Sequence, residues 1–371
     1  MKIAVVGGGN LGTLISANLS LADGAAVTLL TRKSGIFSNV LRVVDEERGS
    51  SYDSGQIAVT DDYSQALTGA DIVLCTLPSF LRGAFAKKAE PYLSPQSAVG
   101  FVPGSGGVEF ACADLIRKGI TVFGMQRVPY ICRTLEYGKT CLCKSSKEQV
   151  FIGSIPGEKA LELCGLLEPL FGIDMIPLRN YLTVTLTPSN PILHTSRMYS
   201  LFKDYSAGSA YERIPLFYHD WDDDSSRTLL GCDGELQALC EKIEGMDLSG
   251  VVPLSVHYES GSAEALTAKL RGIAAFSGIG TPMVRESGGY VPDWDSRYFT
   301  EDYPYGLAII KGFSLLAGCP TPHIDASLFW YQNMSGKTYF SSGGGTGRDL
   351  PQCGAPQRYG FRSLEEVLAL Y

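Results

Sequence analysis

The chain has no excess of positive charge and no long apolar run. Its 371 residues carry 39 Asp and Glu against 31 Lys and Arg, which gives a formal net charge of −8 and a pI near 5.2. Nucleic acids and anionic membranes both favour a basic protein face, so neither is expected as a partner. No stretch of about 18 consecutive apolar residues occurs, and no membrane-spanning helix is predicted.

Cysteine and histidine give no sign of a disulfide framework or a metal site. The ten cysteines form no CxxC pair and have no zinc-ligand spacing with the four histidines. We interpret them as scattered apolar core residues, which favours a reducing compartment, so the chain is predicted to be cytoplasmic and to bind no metal. The chain of 371 residues is long enough for two domains, and its 45% hydrophobic and 19% charged residues allow each domain a substantial core.

The first dozen residues hold the most informative pattern. A short apolar strand runs into a GxGxxG turn, and an apolar helix and a second strand follow. In this context glycines let the backbone approach a pyrophosphate closely, while helix N–H groups point at its charge. Glycines also mark ordinary turns, so the flanking strand, helix and strand support the assignment. The residues predicted here to bind a dinucleotide are Gly7, Gly9, Asn10, Leu11 and Gly12.

The end of the second predicted strand indicates which cofactor binds. NAD sites usually place an Asp or Glu there, which accepts hydrogen bonds from the ribose 2′-hydroxyl. This chain has Thr31, Arg32 and Lys33 instead. Two cations and a hydroxyl suit a 2′-phosphate, so NADP is favoured and NAD is the alternative. The competing interpretation is that Arg32 and Lys33 belong to a solvated loop.

Alternating strands and helices continue to residue 187, which predicts an α/β domain with a Rossmann-type, doubly wound parallel sheet. Its last strand is expected to end near Thr187. Two loops that follow predicted strands contain Leu77 and Pro78 in one case and Gly104 in the other. Both loops are expected to contact the cofactor, because ligands bind at the carboxyl edge of such sheets.

Longer helical patterns predominate after residue 187, separated by loops rich in Asp, Gly and Pro. The chain is therefore predicted to divide into a dinucleotide-binding domain over residues 1–187 and an all-helical substrate domain over residues 188–371. The acidic run Asp220–Asp224 is interpreted as a solvated loop.

Candidate catalytic residues lie in the helical half. His194 follows the segment Thr187–Leu193, and Arg297 and Asp302 come just before a later predicted helix. A reductase needs a proton donor beside the carbon that is reduced, a carboxylate that fixes the imidazole tautomer, and a cation that holds a substrate carboxylate. These three side chains can fill those roles. The competing interpretation is that His194 and Asp302 are structural residues at helix ends.

At these segments the chain resembles the octopine/nopaline dehydrogenase family, the opine dehydrogenases. The resemblance spans both halves: GGGNLG at the start, QRVPYICR, NPILH, RYFTEDYPYGL and TPHID at Thr321–Asp325. It implies that His194 and Asp302 form a catalytic dyad and that Arg297 binds the keto-acid carboxylate. Gln126 and Asn190 are expected to contact substrate.

The resemblance also implies a reaction. The amine of an amino acid condenses with a 2-keto acid, and the resulting imine is reduced at the expense of NADPH. Residues 206–295, which are expected to shape the amino-acid pocket, contain no segment that aligns with the family, and Thr195 and Tyr303 depart from its motifs. The alternatives are a dehydrogenase of a simple 2-hydroxy acid or polyol phosphate, and a non-enzymatic NADP sensor. A homodimer through the helical domain is compatible with each of them, although no motif indicates one.

Overall fold

The computed structural model describes all residues, 1–371, and the chain divides into two compact units. Unit 1 comprises Met1–Thr185 together with Ala369–Tyr371, and unit 2 comprises Leu186–Leu368. The first segment of unit 1 ends two residues before the predicted boundary at 187. The last three residues, which the sequence pattern assigns to the helical domain, belong to unit 1.

Unit 1 alternates strands with helices along most of its length. Its strands are β1 (Lys2–Val6), β2 (Ala26–Leu30), β3 (Arg42–Asp45), β4 (Ser50–Asp53), β5 (Ala58–Thr60), β6 (Ile72–Cys75), β7 (Ala98–Phe101), β8 (Thr121–Met125), β9 (Tyr130–Glu136), β10 (Thr140–Ser146), β11 (Gln149–Ile155) and β12 (Asp174–Pro177). Its helices are α1 (Asn10–Leu19), α2 (Tyr63–Leu67), α3 (Ser79–Ala89), α4 (Val108–Ala111), α5 (Ala113–Arg117), α6 (Lys159–Phe171) and α7 (Leu182–Thr185).

Eight strands form the main sheet in the order β12-β11-β8-β7-β6-β1-β2-β5. Every neighbouring pair is parallel except β8 and β11, which are antiparallel. The strand order reverses between β1 and β6, and the carboxyl ends of these two strands mark the crevice where doubly wound sheets bind ligands. The predicted Rossmann-type sheet is confirmed, with one antiparallel junction that the prediction lacked.

The main sheet is buried on both faces, as a mostly parallel sheet requires. Successive side chains of β1 alternate between two separate apolar cores: Ile3 and Val5 join one, and Ala4 and Val6 join the other. Residues of α1 and α6 complete the first core, and residues of α3 and α7 complete the second. This two-sided burial explains why β1 is a continuous apolar run rather than an alternating one.

Unit 1 also contains a four-stranded sheet in the order β4-β3-β10-β9, which was not predicted from the sequence. The predicted strand ending near Thr187 is wrong: β12 ends at Pro177, and helix α7 covers Leu182–Thr185. The side-chain oxygen of Asn180 accepts hydrogen bonds from the Thr183 N–H at 3.1 Å and from its hydroxyl at 3.3 Å. This local cap favours a helical turn over a strand.

Unit 2 is mainly helical. It contains α8 (Ser189–Phe202), α9 (Asp223–Lys242), α10 (Leu254–His257), α11 (Ala263–Gly272), α12 (Arg297–Thr300), α13 (Ala308–Ala317), α14 (Pro322–Ser335) and α15 (Leu364–Leu368). The prediction of an all-helical domain is wrong in one respect, because β13 (Met283–Glu286) and β14 (Gly289–Pro292) form an antiparallel hairpin. Gly289, the first residue of β14, has φ 135°, and a Cβ there would lie 2.5 Å from the Tyr211 carbonyl oxygen, so this position requires glycine. No helix of the chain combines the length and apolar character needed to cross a bilayer.

The acidic segment Asp220–Asp224 is structural rather than a solvated loop. Asp222 caps α9 by accepting the Ser225 N–H at 2.7 Å, and its other oxygen pairs at 3.0 Å with the buried guanidinium of Arg197. Arg197 also donates to the main-chain carbonyls of Phe217 and Asp220. A buried cation needs such partners, so this part of the acidic run neutralises Arg197 and fixes the segment before α9.

Candidate active site

The glycine-rich turn has the geometry that a dinucleotide requires. Gly7 has φ 108°, and its N–H donates to the Leu30 carbonyl at 3.0 Å. A Cβ at Gly12 would lie 1.9 Å from the Gly7 carbonyl oxygen, so this position tolerates only glycine. Gly9 precedes the first residue of α1, and a Cβ there would meet nothing within 4 Å. No side chain caps this helix, so its first N–H groups are available to an anion.

Asn10 and Leu11 have structural contacts in this turn. The side-chain oxygen of Asn10 accepts the Thr134 N–H at 2.9 Å and the Thr134 hydroxyl at 2.7 Å, which ties α1 to β9. Leu11 packs against the core that contains Leu14. Because these side chains are engaged within the protein, the main-chain atoms of Asn10 and Leu11 are the ones expected to contact the cofactor, and this contact stays a prediction.

The end of β2 carries the two predicted cations on the surface. Arg32 and Lys33 are exposed, whereas Thr31 is buried and its N–H donates to the Thr60 carbonyl at 2.9 Å. The Lys33 amine lies 4.9 Å from the centre of the Tyr137 ring. No carboxylate occupies this strand end, which leaves Arg32 and Lys33 accessible to an anionic group.

The two loops beyond β6 and β7 adjoin the turn but differ in character. Leu77 is half-buried, and a Cβ at Gly7 would lie 3.3 Å from its side chain; Pro78 is exposed. Gly104 is needed for packing, because a Cβ there would lie 2.5 Å from the Cα of Gly124. Its carbonyl accepts the Tyr181 hydroxyl at 2.7 Å. Packing alone therefore explains Gly104, and its cofactor contact stays a prediction.

His194 and Asp302 lie together in unit 2. Helix α8 carries His194, and Asp302 immediately precedes a π-helical turn over Tyr303–Leu307. The His194 Nδ1 and Asp302 Oδ2 atoms are 2.8 Å apart, and both side chains are largely shielded from solvent. A carboxylate on Nδ1 fixes the tautomer that carries its proton there, which leaves Nε2 as the nitrogen for proton transfer.

A buried tyrosine holds the two halves of this pair in place. The Tyr303 hydroxyl donates to the Thr195 carbonyl at 3.0 Å. These two residues directly follow Asp302 and His194 in the sequence, so the hydrogen bond links the π-helical turn to α8 beside the dyad. Thr195 and Tyr303, the two positions expected from the sequence to depart from the family motifs, therefore contact each other.

Aromatic rings surround His194, although no sequence pattern predicts them there. The Tyr298 ring centre is 4.4 Å from that of the imidazole, and the Phe217 ring meets it edge-on at 5.5 Å. The Tyr218 hydroxyl lies 3.4 Å from His194 Nε2, and burial raises the pKa of this phenol, which keeps it neutral. Tyr298 adjoins Arg297 in the motif that carries the resemblance, but nothing in the sequence pairs Phe217 or Tyr218 with His194.

The three residues predicted to bind substrate differ in their exposure and in the unit that carries them. Arg297 is the first residue of α12, and its exposed guanidinium makes no ion pair. Asn190 is exposed on α8 four residues before His194, which puts both on one face of the helix. Gln126 is half-buried in unit 1, where its N–H donates to the Phe151 carbonyl at 2.8 Å. No group of three or more His, Cys, Asp or Glu side chains is arranged to hold a metal ion.

Comparisons with known proteins agree with this geometry. Residues 177–335 match the family described as NAD/NADP octopine/nopaline dehydrogenase, alpha-helical domain, and residues 3–129 match ketopantoate reductase PanE/ApbA. A tauropine dehydrogenase from Arabella iricolor is 31% identical over 84% of this chain and 82% of its own. An octopine dehydrogenase from Mizuhopecten yessoensis is 27% identical over 99% of this chain and 98% of its own.

Solved structures extend the agreement to three dimensions. An octopine dehydrogenase in complex with NADH and L-arginine is similar with a TM-score of 0.90 at 26% identity, covering 99% of this chain and 98% of that chain. A yersinopine dehydrogenase with NADP+ bound has a TM-score of 0.65 at 14% identity, over 100% of this chain and 97% of that chain. The second similarity concerns the fold alone.

A glycine-turn Rossmann sheet, followed in the same chain by a helical unit with a histidine–carboxylate pair, defines a nicotinamide-dependent dehydrogenase. The chain belongs to the octopine/nopaline dehydrogenase family, the opine dehydrogenases. It is an oxidoreductase that joins an amino acid to a 2-keto acid by reductive condensation and acts on the CH–NH bond of the product.

Proposed function

We propose that His194, oriented by Asp302, is the general acid and base of this condensation, that Arg297 binds the keto-acid carboxylate, and that NADPH is the preferred cofactor. The observation that carries the first assignment is the 2.8 Å contact between His194 Nδ1 and Asp302 Oδ2. This contact leaves Nε2 as the nitrogen that can exchange a proton with substrate.

The chemistry needs a proton to move more than once. When the amine attacks the keto carbon, it must lose a proton, and the oxygen of the carbinolamine must gain one to leave as water. His194 Nε2 provides both transfers within one site, and the Asp302 carboxylate stabilises the imidazolium formed between them. When bound, the reduced nicotinamide supplies the two electrons and the hydrogen that reduce the imine carbon.

Arg297 suits the keto-acid carboxylate because its guanidinium is unpaired and can form two parallel hydrogen bonds with one carboxylate. It begins α12, and Asp302 lies five residues further on, so the cation and the carboxylate of the dyad belong to one short segment. An octopine dehydrogenase of similar fold binds pyruvate. A small 2-keto acid of this kind is the proposed substrate, with Gln126 and Asn190 as further substrate contacts.

NADPH is proposed because exposed Arg32 and Lys33 occupy the strand end where an acidic residue would favour NAD. Removing the Arg32 guanidinium is expected to weaken NADPH binding roughly tenfold, the worth of one charge-assisted hydrogen bond, while NADH binding changes little. Fluorescence titration of Arg32→Ala with both cofactors measures this difference. Arg48→Ala, which removes another exposed unit 1 cation, is the control.

The substrate pair is identified by measuring NADPH oxidation over a matrix of small 2-keto acids and single amino acids. Oxidation that requires one keto acid and one amine together names both substrates. Equal use of NADPH and NADH, with equal losses in Arg32→Ala, would contradict the cofactor assignment and leave the reaction assignment intact.

A further inference from the structure

Arg82 is a buried cation at the carboxyl edge of the main sheet that the reaction scheme does not use. It lies on α3 and is only 4% exposed. Its Nε donates to the Leu77 carbonyl at 2.9 Å, and its Nη1 donates to the Ser105 carbonyl. Both acceptors are uncharged main-chain oxygens, so these bonds position the guanidinium without neutralising it.

The two carbonyls belong to the loops that follow β6 and β7, so Arg82 fastens one loop to the other. The loops are close packed at this point: a Cβ at Gly106 would lie 2.6 Å from the Ser79 hydroxyl and 3.4 Å from Arg82 Nη1. The remaining nitrogen, Nη2, has no hydrogen-bond partner in the protein, and it is not fully enclosed by protein atoms. Its N–H donors therefore remain open to solvent or to a ligand.

The topology places Arg82 on one particular half of the dinucleotide site. A dinucleotide lies across the carboxyl ends of the strands, with one half on each side of the switch point between β1 and β6. The β1–β2–β5 side carries Arg32 and Lys33, which suit the ribose 2′-phosphate of the adenosine half. The β6–β7–β8 side, where Arg82 lies, therefore receives the nicotinamide half.

We propose that Arg82 is a positioning residue that also makes this site discriminate between the two redox states of the cofactor, favouring the reduced form. The oxidised nicotinamide ring carries a positive charge, and the reduced ring does not. A fixed, largely desolvated guanidinium on the same side of the sheet repels the oxidised ring and leaves the neutral ring unaffected. Such a bias favours binding of NADPH and release of NADP+, the direction that reductive condensation requires.

The test is the ratio of dissociation constants for oxidised and reduced cofactor, measured without keto acid or amine. NADPH binding is followed by its own fluorescence, and NADP+ binding by calorimetry. In Arg82→Gln the preference for the reduced form is expected to fall roughly tenfold, the effect of removing one unit charge from a partly buried site. In Arg82→Lys the charge remains, so the ratio should stay near the wild-type value while both forms bind more weakly.

Arg117→Gln is the matched control, since it removes an exposed arginine of unit 1 that pairs with Asp114 on the surface. Its ratio should equal that of the wild type. A purely structural role for Arg82 predicts equal losses for both redox forms, and that result in Arg82→Gln would overturn the proposal. If Arg82→Gln does not fold, a changed ratio in the charge-conserving Arg82→Lys overturns it equally.

The proposal rests on nicotinamide dependence but not on the preference for NADPH. The same ratio can be measured with NAD+ and NADH, so failure of the cofactor assignment and failure of the Arg82 proposal give different results. Because no substrate is present, neither result depends on the roles of His194 or Arg297.

Discussion

The buried carboxyl of Glu109 predicts an unusual dependence of unit 1 stability on pH. The side chain is fully buried at the start of α4. Its Oε1 accepts the Thr185 hydroxyl at 2.5 Å and the Tyr371 hydroxyl at 2.8 Å, but its Oε2 has no partner. Burial, partly offset by these hydrogen bonds, raises its pKa from 4.5 to about 7. The folded protein therefore keeps a proton that the unfolded chain has lost above pH 4.5.

The size of the effect follows from this shift. Between pH 4.5 and about 7 the folded state binds more protons at Glu109 than the unfolded state does, so the free energy of unfolding falls as the pH rises. This shift in pKa lowers the free energy of unfolding by about 3 kcal/mol. The loss is complete above the folded-state pKa and absent below pH 4.5. The Glu109→Gln variant keeps an uncharged group of the same shape and lacks this loss.

The assay is thermal unfolding of the wild type and of Glu109→Gln from pH 4.5 to 8. Hydrogen exchange in the strands of unit 1, measured separately over the same pH range, assigns the change to this unit. For a unit of this size, the difference in Tm between the two proteins should grow with pH by roughly 6 to 12 °C. The three tryptophans, Trp221, Trp294 and Trp330, all lie in unit 2, so their fluorescence reports the other unit separately. Parallel pH curves for the two proteins in unit 1 would refute the reasoning.

Three further predictions concern the site. The variants His194→Ala and Asp302→Asn should each lose roughly a hundred- to ten-thousandfold in kcat in steady-state assays; their NADPH affinity should stay normal, and near-wild-type turnover would contradict the dyad. Arg297→Lys should raise the KM for the keto acid roughly tenfold with little change in kcat, because lysine cannot form the two-pronged bond; an unchanged KM would place the carboxylate elsewhere. Gly9→Ala should weaken cofactor binding at least tenfold without lowering Tm, because its Cβ meets no protein atom within 4 Å; unchanged affinity would show that the cofactor does not approach this turn closely.

Much of the fold could be predicted because local patterns determine it. The glycine turn, the apolar run of β1 and the amphipathic helices of unit 2 carry their signal within a few residues. The four-stranded sheet could not be predicted, because it pairs β3 with β10, which lie about a hundred residues apart in the chain. The acidic run before α9 was misinterpreted for the same reason, since its partner Arg197 lies more than twenty residues upstream.

The site shows the same limit. His194 and Asp302 were identified through motifs, and the structure brings them into contact across 108 residues of sequence. The contact of the Tyr218 hydroxyl with Nε2 and the hydrogen bond between Tyr303 and Thr195 could not be predicted from the sequence, because both depend on how α8 packs against later segments. Arg82 is similar: in the sequence it is one of several cations on α3, and only its burial distinguishes it.

The most direct test of the central claim is the product formed from NADPH, a small 2-keto acid such as pyruvate and a pool of common amino acids. Mass spectrometry should detect an N-(carboxyalkyl) amino acid in amounts equal to the NADPH consumed, and omission of either the amine or the keto acid should abolish both signals. Oxidation of NADPH by the keto acid alone, with a 2-hydroxy acid as the product, would contradict the account.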